Sequence, residues 1–119
     1  MASIVVYENQ IIASGINTRE QDHQITSHAE INALKQAAQV IGSWNLTGSS
    51  LYVNLEPCAM CAGAILQSHI STVVFGAYDA KSGAFGSRYN LITKNLNVIG
   101  GIMEQECAQR LTEFFEQLR

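Results

Sequence analysis

Four residues of this chain carry side chains that can do chemistry together: His28 and Glu30 in SHAEINAL, and Cys58 and Cys61 in LEPCAMCAGAIL. Two cysteines three positions apart in the first turn of a helix face the same way, as a two-point grip on a metal requires. Amides at a helix N-terminus also favour thiolate over thiol. His28 and Glu30 would diverge along a helix flank, but at the tip of a helix they can flank one point in front of it. One histidine and two cysteines are one ligand short of a closed tetrahedral site. Three protein ligands and an open position are the layout of catalytic zinc. Glu30, not needed as a ligand, is then placed to move protons between water and a substrate.

Blander readings exist for each part. The Cys58–Cys61 pair alone suits a redox couple or a structural zinc knuckle equally well. A thioredoxin-like site would leave His28 and Glu30 unexplained and finds no support in the order of elements. A closed zinc site needs a fourth ligand, and the remaining cysteine, Cys107, falls on the apolar stripe of the last expected helix, where it reads as a small hydrophobe. His23 and His69 belong to no motif and read as loop or helix-end residues. Glu30 alone could be a first-turn acid facing the helix dipole. Only the open zinc site uses all four residues at once.

The elements that must position them can be read from the same sequence. The β-branched runs at 3–7 and 11–14 predict a hairpin, and 15–27 reads as a polar loop. Residues 29–41 place Ile31, Leu34, Ala38 and Ile41 at helical spacing and end at Gly42. A strand at 51–55 leads through Pro57 into a short apolar helix over 58–68. A buried strand follows at 72–76, then a glycine-bearing loop at 79–87 and a short strand at 97–99. The helix at 104–118 carries Cys107, Leu111, Phe114, Phe115 and Leu118 on one face. This order predicts a three-layer α/β fold with crossovers.

Bulk properties narrow the function. The 119 residues suit one domain, and 47% apolar against 14% charged residues suggests that a second subunit covers part of the surface. The seven lysines and arginines are scattered in a chain of net charge −3, so no basic run advertises nucleic-acid binding. Three cysteines argue against a secreted disulfide scaffold, and neither a membrane span nor a signal-peptide layout is visible, so a soluble cytoplasmic protein is expected.

The pattern H-x-E followed by P-C-x-x-C, here HAE at 28–30 and PCAMC at 57–61, is the signature of the zinc-dependent nucleobase deaminases. With SGIN, LYVNLEPCAMCAGAI, VVFGAYDAKSGAFGS and FFEQLR, nearly the whole chain resembles the bacterial tRNA adenosine deaminases of the cytidine/deoxycytidylate deaminase superfamily. Those enzymes convert the wobble adenosine of an anticodon to inosine. The resemblance implies a three-layer α/β/α cytidine-deaminase-like sandwich around a five-stranded mixed sheet. It implies one Zn²⁺ per chain on His28, Cys58 and Cys61, with Glu30 as general acid and base.

It also implies that the backbone around Ala29 and at Glu56 and Pro57 lines the base pocket. Asn17, a turn residue by its own context, matches the family's substrate-binding asparagine. Asp79, Lys81 and Ser87 fall on the loop that runs beside the substrate in the family, and they read as well as a solvated turn. The implied partners are a tRNA anticodon loop and a second copy of the chain. Residues 1–119 are expected to form one deaminase domain without the helix that normally opens the family. The segment 90–102 is shorter than in the tRNA editors. A free-base or nucleoside deaminase acting on guanine, cytosine or adenine is therefore the alternative, and a non-catalytic zinc-binding subunit of the same fold a remote one.

Overall fold

The hairpin forms as the β-branched runs predict, with β1 (Ala2–Tyr7) and β2 (Gln10–Ile16) joined by Glu8 and Asn9, both at positive φ. Positive φ at both central residues matches the twist of the turn to that of its strands. The computed structural model describes residues 1–117, with the side chains at 110–112 and 114–117 outside the description. The expected apolar stripe at Leu111, Phe114, Phe115 and Leu118 therefore lies outside the described residues. The remaining elements are α1 (Arg19–Asp22), α2 (Ala29–Ile41), β3 (Ser50–Leu55), α3 (Ala59–Ser68), β4 (Thr72–Ala77), β5 (Asn97–Ile99) and α4 (Glu104–Gln117). Two differ from expectation: β2 runs on to Ile16, and the supposed loop that follows it contains the one-turn helix α1.

The strands form one mixed sheet in the order β2-β1-β3-β4-β5. β1 is antiparallel to both its neighbours, while β3, β4 and β5 are parallel. Alternation along the strands sends Val5, Leu51, Val53, Val73 and Phe75 to one face, where they join Ala33, Leu34 and Ala37 of α2 and Ala62 and Ile65 of α3 in the core. The opposite face receives α4, whose Cys107 sits directly against Gly76 of β4. This makes the three layers. Among the described residues no helix is long and apolar enough to cross a membrane.

Small residues set the depth at which α2 lies. A methyl group on Gly15 would stand 2.2 Å from the carbonyl oxygen of Ala29 and 2.7 Å from the amide of Ala33. Backbone meets backbone there, so neither side can yield by rotating a side chain. Gly15→Ala is expected to destabilise the protein by about 1–3 kcal/mol, read as a lower urea midpoint at unchanged slope. An unchanged midpoint would show that α2 can back away from the sheet freely. The other notable stretch is residues 78–96, which join parallel strands β4 and β5 without a helix. A long irregular connection in a small domain usually serves a site.

Candidate active site

Two helices begin at the same place. His28 is the N-cap of α2 and Cys58 the N-cap of α3, each in extended backbone conformation with its carbonyl accepting the first helical hydrogen bond, from Asn32 and Ala62 respectively. Neither side chain caps its own helix. Both positions thus forgo a capping hydrogen bond, usually worth about 1 kcal/mol, and aim their side chains at each other instead. Cys61, one turn into α3 and fully buried, completes the group.

His28 Nδ1 lies 3.6 Å from Cys58 Sγ and 3.4 Å from Cys61 Sγ, and all three atoms lie within 4.8 Å of one another. Ligands about 2.1 Å (nitrogen) and 2.3 Å (sulfur) from one tetrahedral zinc would stand about 3.6 Å apart. Both nitrogen–sulfur distances therefore suit a zinc ion held between these atoms. Cys107 is not among them, and no fourth ligand joins the group among the described residues. His69 instead ends α3, its ring against Trp44, and His23 ends α1; both are helix-end residues as expected.

The protonation pattern fits the same use. A hydrogen bond from Cys61 holds the Cys58 thiol down to about 5, helped against burial by the Cys61 and Met60 amides at the start of α3 and by the charge of His28. Cys61 is pushed well up, first by that shared hydrogen bond and then by burial and by Glu30. Glu30 is 3% exposed, and its Oε1 has no hydrogen-bond partner among the described residues. Burial raises its carboxyl above the ordinary range. A buried carboxyl oxygen without a partner, beside three atoms that could hold a metal ion, is positioned for a group that comes and goes.

The other expected residues divide by what their atoms already do. Asn17 accepts the Arg19 amide on Oδ1 at 2.9 Å, in a side-chain turn that leaves the Nδ2 donors for a ligand. The carbonyl of Ala29 accepts the Ser3 hydroxyl at 2.8 Å. That of Pro57 accepts the Ala84 amide at 2.8 Å. Asp79 folds its own loop, with Oδ1 accepting the amides of Lys81 and Ser82.

Glu56 is almost wholly buried, and its carboxylate is saturated. Oε1 accepts the Asp79 amide at 3.0 Å and the Ser87 hydroxyl, while Oε2 accepts the amides of Phe85 at 2.9 Å and Ser87 at 3.2 Å. Burial alone would raise this carboxyl, but these donors outweigh it and hold it below the ordinary range. Glu56 therefore fastens the 79–87 loop to the turn that presents Cys58. The Glu56 side chain is a clamp between that loop and that turn.

Two residues had no part in the sequence reading. Asn32, one turn into α2, donates to the carbonyl of Ile16 and the hydroxyl of Thr18, both at 2.8 Å, and so closes the 17–27 loop at its base. Arg19 brings Nη1 to 3.4 Å from His28 Nε2. Asn32 follows Glu30 by two positions, and that proximity to the motif was the only available signal.

The chain as a whole is similar to several known proteins. A family model described as MafB19-like deaminase matches residues 1–119. The tRNA-specific adenosine deaminase of Bacillus subtilis (strain 168) is 40% identical over 124 residues, covering 100% of this chain and 77% of its own length. A solved structure from studies of A-to-I editing by tRNA deaminases at the wobble position has a TM-score of 0.86 at 34% identity, over 91% of this chain and 82% of that one. A guanine deaminase from Bacillus subtilis has a TM-score of 0.64 at 35% identity, over 65% of this chain and 49% of that one.

Proposed function

The chain belongs to the MafB19-like deaminase family, and we propose that it hydrolyses the wobble adenosine of a tRNA anticodon to inosine, releasing ammonia. The observation that carries this reading is the meeting of His28, Cys58 and Cys61 at two helix N-termini beside the unpartnered Oε1 of Glu30. The similarity to tRNA-specific adenosine deaminases over the full chain supports the substrate. In this reading residues 1–119 act as one deaminase domain, and His28 Nδ1, Cys58 Sγ and Cys61 Sγ hold one Zn²⁺ per chain. The chemistry that zinc supplies in an open site is to make a water acidic enough to attack near neutral pH.

The remaining steps belong to the protein. Glu30 Oε1 takes a proton from the attacking water and gives it to the ring nitrogen beside the carbon under attack. A further proton from the water, carried by the same carboxyl, leaves with the amine as ammonia, and the oxygen stays on the base. The Nδ2 donors of Asn17 face the base edge, and the first-turn amides of α2, from Ala29 onward, have no helical partner and can bind it. Asp79, in the loop held by Glu56 and packed on Pro57, closes the pocket from the other side.

Hydrolysis of a free base or nucleoside is the second reading. The guanine deaminase similarity and the small number of basic residues favour it. The test is ammonia release by zinc-loaded protein, offered an anticodon stem-loop with a wobble adenosine and, separately, a panel of bases and nucleosides. Release from the stem-loop alone supports the tRNA reading, and release from a free base alone replaces it. A two-copy assembly in the cytoplasm completes the proposal. Trp44 and Val40, exposed on the outer flank of α2 and the turn after it, supply apolar surface for such contact. Sedimentation showing only monomer would remove the dimer.

A further inference from the structure

We infer that Arg19 contacts phosphate at the rim of this site, holding the phosphate group next to the reacting base. The inference rests on the metal-centre reading above and adds the anionic part of the substrate to it.

Arg19 Nη1 stands 3.4 Å from His28 Nε2. That contact holds the guanidinium at the imidazole edge turned away from the two sulfurs. A guanidinium has donors only. The contact occupies one guanidinium N–H, and the donors left over at this exposed position call for an acceptor oxygen in front of them. The fixed charge on Arg19 selects an anionic one, and its planar fork suits phosphate.

The loop that carries Arg19 is built to hold it there. Its amide is tied to Asn17 Oδ1, the Thr18 amide to the carbonyl of Ser27 at 3.0 Å, and the Thr18 hydroxyl to Asp22 at 2.6 Å, while Asn32 closes the base of the loop. Asp22 is engaged with Thr18, and no carboxylate forms an ion pair with Arg19 among the described residues. An exposed, uncompensated arginine beside a metal ligand, in a chain of net charge −3, puts one positive charge where a nucleotide must pass to present its base. The base itself goes to Glu30 and Asn17; the phosphate remains for Arg19.

The experiment compares zinc-loaded wild type with Arg19→Gln and Arg19→Lys. Fluorescence anisotropy of a labelled anticodon stem-loop is followed between about 50 and 200 mM salt, with zinc content measured in parallel. Arg19→Gln is expected to bind about 5–10-fold more weakly at low salt and to lose about 0.7 from the log–log salt slope, as for one phosphate contact on a single strand. Arg19→Lys should recover most of the slope. Unchanged affinity and slope in Arg19→Gln would overturn the inference while leaving the tRNA reading intact. Loss of zinc would also overturn it, making Arg19 a support for His28.

If the wild type deaminates only small substrates, the tRNA reading fails, and KM for a nucleoside monophosphate against its nucleoside decides. A wild-type preference for the monophosphate that Arg19→Gln abolishes supports phosphate contact. Equal KM values in the wild type overturn it.

Discussion

Glu30→Gln is expected to lower kcat by about 10²–10⁴-fold, the range of a lost general acid–base group, with zinc still bound at one equivalent per chain. Glutamine keeps the volume and the backbone hydrogen bonds of the first turn of α2, so the three ligating side chains should not move. What it removes is the ability to exchange a proton at Oε1, the buried oxygen without a partner. The variant also tests the cost of this placement. Burial raises the Glu30 carboxyl above its ordinary value. A carboxyl whose folded value exceeds its unfolded one weakens the fold as pH rises through that interval, because the unfolded chain gives up its proton first. At neutral pH the metal-free Gln variant is therefore expected to melt no lower than metal-free wild type. Retained turnover would remove Glu30 from the mechanism. Lost turnover with lost zinc would make it a structural residue of the cluster.

The two halves of the site differ in how well the sequence shows them. His28, Glu30, Cys58 and Cys61 are legible because metal chemistry admits few residue types and because helix N-termini can be read from local signals such as Pro57 and the apolar period of 29–41. The strands are legible for a similar reason, their β-branched runs being local. Helix α1 is not. Its four residues bury nothing, so no apolar period marks it, and it is held by Asn17, Thr18 and Asn32 through side-chain contacts that span up to sixteen positions. The role of Glu56 was hidden by the same kind of distance. Beside Pro57 and Cys58 it reads as part of the pocket backbone, whereas its carboxylate partners lie 23 to 31 positions further on. Local pattern reveals what a residue can do, and only the fold reveals which partner has already claimed it.

Replacing Glu56 should accordingly have a large effect on stability. In Glu56→Ala the buried amide of Phe85 and the half-buried amides of Asp79 and Ser87 lose their acceptor, at about 1–3 kcal/mol for a buried donor left unsatisfied and less where water can reach. With partial relaxation the expected loss is about 3–5 kcal/mol, a large share of the 5–15 kcal/mol that holds a typical domain. Glu56→Gln is the finer probe, because it keeps the shape and one acceptor oxygen but turns an amide hydrogen toward backbone N–H groups. The adjacent Gly83 leaves little room for repacking, since a methyl group there would already stand 2.3 Å from Glu56 Cδ.

Acid should reveal the same clamp in the wild type. The folded carboxyl lies below its unfolded value, so its contribution is complete above about pH 5 and fades as pH falls through the unfolded value, about 4.3, towards the folded one. Thermal melts of wild type should therefore drop on acidification through that interval, and those of Glu56→Gln should drop less. Because the 79–87 loop is also joined to Pro57 and Cys58, through the Ala84 amide and the bridge between Gly83 and Cys58, loosening it displaces one wall of the cleft and leaves the ligand cluster in place. Glu56→Gln should keep its zinc and raise KM more than it lowers kcat. A variant that loses zinc, or that melts and turns over like wild type at every pH, would show that the loop stands without its clamp.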